Sequence, residues 1–131
     1  MKKDIKIPIV ENVQIVATKE WDKDFLAQNW NVYVINNRED RIESVLVLSR
    51  GESNNKKTTT LRHSLGNLPP HTGKKVEFIA EEVFSFTNEY IVTFFAEGKL
   101  FDRTFIFEPQ SISEENTVFI DLMGQDCVMA K

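Results

Sequence analysis

The sequence predicts an all-β domain: an antiparallel sandwich of about seven or eight strands, with at most one short helical segment near residues 20–27. Three observations carry that prediction. Apolar and polar residues alternate at period two in several stretches, the mark of a half-buried strand. Turn-forming clusters of Gly, Pro, Asn and Asp separate those stretches about every 8–15 residues. The chain of 131 residues also holds ten Phe, a residue enriched in strands and able to bury a large area.

The elements follow in order. Ile5, Ile7, Ile9, Val13, Ile15 and Ala17 alternate along a first strand over residues 4–18, kinked at Pro8 because Pro donates no backbone hydrogen bond. Trp21 and Phe25 stand four apart in 19–28, which suits one or two helical turns or a loop pinned by those rings. Residues 29–37 form a strand with Trp30, Val32 and Val34 on one face and Tyr33 and Ile35 on the other. The turn Asn36–Asp40 leads to a strand at 41–49, where Ile42, Leu46 and Leu48 oppose Val45 and Val47. A polar loop over 50–57 precedes a Thr-rich strand at 58–65, and the Pro69-Pro70 segment 66–75 breaks regular structure. A strand at 76–83 points Val76, Phe78 and Ala80 one way. A hairpin at 89–107 turns at Glu97-Gly98, and residues 117–122 make a last strand. The chain reads as one domain over 1–131, with a core over about 4–122 and a loose tail at 123–131.

The stretches VYVINN at 32–37, LPPHTGKKVEF at 68–78 and EYIVTFFAEG at 89–98 together resemble an immunoglobulin-like sandwich, nearest to fibronectin type III modules. The resemblance covers about residues 10–107. It implies that Tyr90, near the start of the penultimate strand, makes a corner with upstream backbone. It also implies that Trp30 is the tryptophan of the second strand. Because this fold hosts many unrelated functions, the resemblance bears on architecture alone.

Composition excludes several function classes. The net charge is −4 and the 16 Lys and Arg are scattered, whereas nucleic acid binding needs a concentrated basic surface. No stretch approaches the ~20 apolar residues of a membrane span. A single cysteine, Cys127, excludes an intrachain disulfide, and the N-terminal residues lack the apolar run of a secretory signal. A reduced, cytoplasmic protein is the resulting expectation.

Catalytic chemistry finds little support. His63, His71 and Cys127 do not fall at metal-ligand spacings, so neither a metal nor another cofactor is expected. Cys127 lies in the expected tail without a base to activate it. The sequence has no G-x-S-x-G elbow, no phosphate-binding loop and no G-x-G-x-x-G. Asp22 and Asp24 lack the remaining spacing of a calcium loop. The expectation is therefore a non-enzyme. An alternative is a small-ligand or carbohydrate-binding module built on the exposed aromatics Trp21, Trp30 and Tyr33.

The hairpin points more firmly to an interaction surface. A two-residue turn pairs Ala96 with Lys99, Val92 with Arg103 and Thr93 with Asp102. That register puts Tyr90, Val92, Phe94, Phe101, Phe105 and Phe107 on the core face. Arg103 shares this face, its stem packing while its head reaches out. The other face carries Ile91, Phe95, Leu100 and Ile106, joined by Val45 and Val47 of the neighbouring strand. A contiguous apolar face needs a cover. The sequence offers three: residues 19–28, residues 117–122, or a protein partner, either a second copy in a homodimer or another protein.

Overall fold

The computed structural model describes residues 12–131 and is a two-sheet, all-β sandwich. The strands are β1 (Val13–Trp21), β2 (Gln28–Asn36), β3 (Ile42–Ser53), β4 (Lys56–Lys57) and β5 (Leu61–Leu68). They continue as β6 (Thr72–Ile79), β7 (Thr87–Ala96), β8 (Lys99–Phe107), β9 (Val118–Ile120) and β10 (Gln125–Met129). The first sheet runs β6-β2-β1-β10-β9. The second runs β4-β3-β7-β8, with β5 also pairing β3. All paired strands are antiparallel.

Period-two patterning accounts for most of the core. Val13, Ile15 and Ala17 of β1 and Trp30, Val32 and Val34 of β2 face inward. They meet Val92, Phe94, Phe105 and Phe107 from the second sheet. The β7–β8 register agrees with the expected one at Ala96–Lys99, Val92–Arg103 and Thr93–Asp102. Both turn residues, Glu97 and Gly98, have positive φ (53° and 72°), so the turn follows the twist of its strands. The Arg103 guanidinium lies 4.5 Å from the centre of the Phe105 ring.

Several expectations change. Residues 22–27 are the connection of the β1–β2 hairpin and not helical, because the alternation that begins at Val13 continues to Trp21. The Pro69-Pro70 break is shorter than expected: β5 runs to Leu68 and β6 starts at Thr72. The first strand's opening half, residues 4–11, lies outside the described residues. The expected tail is a strand inside the first sheet, between β1 and β9, with Cys127 and Val128 buried. Lys131 then exchanges both backbone hydrogen bonds with Ile106 of β8, at 2.9 Å each, and links the two sheets.

Register shifts interrupt the pairing at Ile42/Val45 and Val45/Leu46 against β5 and at Val32/Tyr33 against β6. Between Ile42 and Val45 the register advances three residues on β3 against two on β5, and the same extra residue appears against β7. Ser44 sits there with φ 51°. The bulge turns Ile42, Val45 and Val47 all inward and leaves Leu46 and Leu48 outward. On β6, Val32 pairs with Glu77 but Tyr33 with Lys75. Val76 and Ile79 are buried as a result, Phe78 is exposed, and Glu77 points toward the core.

Candidate functional site

Four of the six residues expected at an interface share one surface. Ile91, Phe95, Leu100 and Ile106 lie on the outer face of the β3–β7–β8 sheet. Phe95 and Leu100 are directly opposed across the hairpin and are 43% and 57% exposed. Ile91 and Ile106 are half-buried. Val45 and Val47 do not belong to this surface. The bulge at Ser44 sends them into the core, where they are fully buried. Leu46 and Leu48 replace them, standing beside Thr93 and Ile91. The face therefore remains continuous across three strands.

This face borders charges of both signs. Arg62 of β5 stands beside Leu48 at one side, and Asp102 of β8 beside Thr93 at the other. At one end Arg50 pairs with Glu89 at 2.7 Å. Residues 117–122 do not cover this sheet. Ile120, Leu122 and Met123 pack instead on Val16, Ile35 and Cys127, on the outer side of the first sheet.

The aromatic residues expected to bind a ligand fall apart. Trp30 is only 8% exposed and packs edge-on against Phe84, so it is a core residue. Trp21 is exposed at the end of β1. Tyr33 points to the opposite face of β2 from Trp30 and donates to Glu20 Oε1 at 2.9 Å. The three form no shared platform for a sugar ring. The carboxylate of Asp22 serves its own turn, with Oδ1 accepting from Asp24 N–H and Leu26 N–H.

Sequence reasoning missed a polar cluster between the sheets. Glu77 Oε1 accepts from Ser49 Oγ at 2.8 Å and bonds His63 Nε2 at 2.7 Å. Its Oε2 accepts from Tyr90 Oη at 2.7 Å. Burial, reinforced by the Glu77 charge, raises the Tyr90 hydroxyl far above the ordinary tyrosine range. A cleft of about 210 Å³ opens over Ser49, Glu77 and Tyr90. Ser, His and Glu together invite comparison with a nucleophilic triad, but the order differs. In a triad the imidazole stands between hydroxyl and carboxylate and takes the proton. Here the carboxylate stands between Ser49 and His63. The signal for this site was hidden by the β6 bulge, since strict alternation from Val76 and Phe78 sends Glu77 to solvent.

Among the described residues, no group of three or more His, Cys, Asp or Glu is placed to hold a metal ion. Cys127 is buried, and that burial, with Glu20 and Asp126 nearby, raises its thiol above the usual range despite a hydrogen bond with Thr18. A raised thiol is a poor nucleophile. Among the described residues no helix is long and apolar enough to cross a membrane. No protein-family model, curated protein or solved structure matches the chain.

Proposed function

We propose that this chain is a non-enzymatic, fibronectin type III-like interaction module that works through the outer face of its β3–β7–β8 sheet. The observation that carries the reading is the opposed, exposed pair Phe95 and Leu100 on a face continued by Leu46, Leu48 and Ile91. Contiguous apolar surface of this kind marks protein contacts.

Strand order supports the family part of the proposal. Setting aside the two-residue β4, the first, second and fifth strands (β1, β2, β6) share one sheet. The third, sixth and seventh (β3, β7, β8) share the other, as in immunoglobulin-like sandwiches. The fourth, β5, pairs β3 and does not join the first sheet, which sets the chain apart from the constant-type arrangement. Trp30 lies in the second strand and Tyr90 near the start of β7, at the places the resemblance implies. Tyr90 departs from it in one respect, bonding a side chain, Glu77, where the family corner uses backbone. A single buried Cys127 suits a reducing compartment such as the cytoplasm.

The partner that the charge pattern fits is a second copy. When two such faces pack about a two-fold axis along the strands, the Asp102 edge of each lies over the Arg62 edge of the other. Phe95→Asp puts a charge into the hairpin end of that contact while leaving the core untouched. It is expected to lower the mass measured by light scattering after size exclusion. The monomer should stay folded, losing about 1 kcal/mol with the Leu100 cross-strand pair and the strand preference of Phe. An assembly unaltered by Phe95→Asp removes this face from the contact.

A further inference from the structure

β5 pairs β3 and β6 pairs β2, so no hydrogen-bonded ladder joins the two sheets along the β5–β6 side of the sandwich. The cleft of about 210 Å³ over Ser49, Glu77 and Tyr90 opens on this side, with Leu61 of β5 and Phe78 of β6 among its walls. Its lining is mostly apolar. Leu61 and Phe78 are 48% and 54% exposed, one from each sheet, and packing within the domain does not account for them. A cavity of about 150 Å³ holds a benzene ring, so this cleft has room for a ring or a short alkyl chain with a polar head.

The polar head that suits it is set by one carboxylate. Glu77 is mostly buried, its side chain only 14% exposed. Ser49 and His63 meet Oε1, and the Tyr90 hydroxyl donates to Oε2. A carboxylate oxygen carries two lone pairs, so Oε2 keeps an acceptor site for one further donor. The two hydroxyls bring no charge to Glu77, and His63 brings one only when protonated. Arg50 lines the same cleft, but its guanidinium is engaged by Glu89 at 2.7 Å. A buried carboxylate is costly until a cation joins it. Glu77 is also there by a special device: the register shift at Val32/Tyr33 turns it inward. Bulges gather beside binding sites, where they re-aim a side chain.

We propose that this cleft binds a small primary ammonium ion with an apolar body. The ammonium donates to Glu77 Oε2 and to the Ser49 hydroxyl oxygen, and the body lies between Leu61 and Phe78. A carboxylate ligand would meet Glu77 as a like charge. A sugar would leave that charge unmatched and lay its hydroxyls on Leu61 and Phe78. A second cleft of about 380 Å³ shares Arg50, Gly51 and Thr58 with the first and adds Thr60 and Thr87, so a polar extension of the ligand has hydroxyls to meet. The inference does not rest on the β3–β7–β8 outer face, which Phe95→Asp reads separately.

Titration of the isotopically labelled protein with benzylammonium chloride, followed by NMR, tests it, with benzyl alcohol and benzoate as matched probes. Benzylammonium is expected to shift the amides of residues 49–51, 58–61 and 77–80 saturably at millimolar concentrations. It should bind at least about tenfold more tightly than benzyl alcohol, because a charge-assisted hydrogen bond is roughly twice as strong as a neutral one. Benzoate should leave the same amides unmoved. Glu77→Gln keeps the shape, removes the charge and should abolish the preference for benzylammonium over the alcohol. Leu61 is exposed and stands outside the hydrogen-bonded cluster, so Leu61→Lys reads the site with that cluster intact. Its tethered ammonium should weaken benzylammonium at least about tenfold. Equal affinities for benzylammonium and benzyl alcohol in the wild type overturn the proposal. So does a titration that moves none of those amides, or a Leu61→Lys protein that binds benzylammonium as the wild type does.

Discussion

The Tyr90 hydroxyl donates to Glu77 Oε2 at 2.7 Å, and this bond ties β7 of one sheet to β6 of the other. Ser49 and His63 reach the other carboxylate oxygen from β3 and β5. One glutamate thus gathers four strands. Tyr90→Phe keeps the ring and deletes the donor, leaving a mostly buried carboxylate short of a partner. The expected loss is about 1–3 kcal/mol, read as a lower urea midpoint at an unaltered m value. A variant as stable as wild type would mean that water replaces the phenol without loss.

Both tyrosines of the chain should ionise late. Burial, the hydrogen bond to Glu20 and its charge push the Tyr33 hydroxyl up to about 12. Tyr90 is raised further, first by burial and then by Glu77. A group whose folded pKa is raised contributes stability below its unfolded pKa of about 10, and that contribution fades as pH climbs through the folded value. The native protein should therefore show little phenolate absorbance at pH ~10, where an unfolded chain is about half ionised. Half of the unfolded chain's phenolate signal appearing at that pH would place one of the two hydroxyls in water.

Glu20 governs part of the acid side. Burial opposes its ionisation, but hydrogen bonds from Asn31, Gln125 and Tyr33, with Lys75 nearby, outweigh burial and hold the carboxyl below the usual range. A lowered folded pKa contributes stability above the ordinary value of 4.5, and that stability is lost as pH falls through the folded value. Urea midpoints taken from pH about 6 down to about 3 should fall less steeply for Glu20→Gln than for wild type. Equal slopes would remove Glu20 from the acid response.

The bulge at Ser44 should be adjustable. Gly relieves a left-handed φ of 51°, so Ser44→Gly is expected to gain about 1 kcal/mol. Ser44→Val, β-branched at the same position, is expected to lose more than about 1 kcal/mol. A neutral Ser44→Val would show that the chain reaches its register without the left-handed residue.

Removing β10 should be ruinous. Ending the chain at Gly124 deletes two buried side chains, Cys127 and Val128, worth roughly 1.5 kcal/mol each, together with the ladder to β1. It also bares the β1 edge, which invites aggregation. Circular dichroism should report a largely unfolded or aggregated chain. A truncated protein that melts like the full one would make residues 125–131 the loose tail that their composition suggests.

Local pattern made the hairpin legible. Glu97-Gly98 between two alternating runs determines turn type, register and the inward Phe set, because all three depend on near neighbours in the chain. It also placed Ile91, Phe95, Leu100 and Ile106 on one outer face. Val45 and Val47 were misplaced because a bulge adds a single residue, and one residue reverses every side chain beyond it. Ser44 gives little warning of that, since it has no glycine or proline beside it to mark a break. Trp30 looked available for a ligand because its burial depends on Phe84, more than fifty positions away along the chain.

By itself, then, the sequence determined the all-β class, the inward faces of β1, β2, β7 and β8, and the apolar outer surface at Phe95 and Leu100. These follow from period-two alternation and turn chemistry, which act within a few residues. Only the tertiary structure decided three other features. It brought Glu77, Ser49, His63 and Tyr90 to one point, set the C-terminal strand inside the first sheet, and laid residues 120–123 over that sheet rather than its partner. Each depends on contacts between segments far apart in the chain. What selects such contacts is the burial of whole faces against one another, and no local periodicity carries that information.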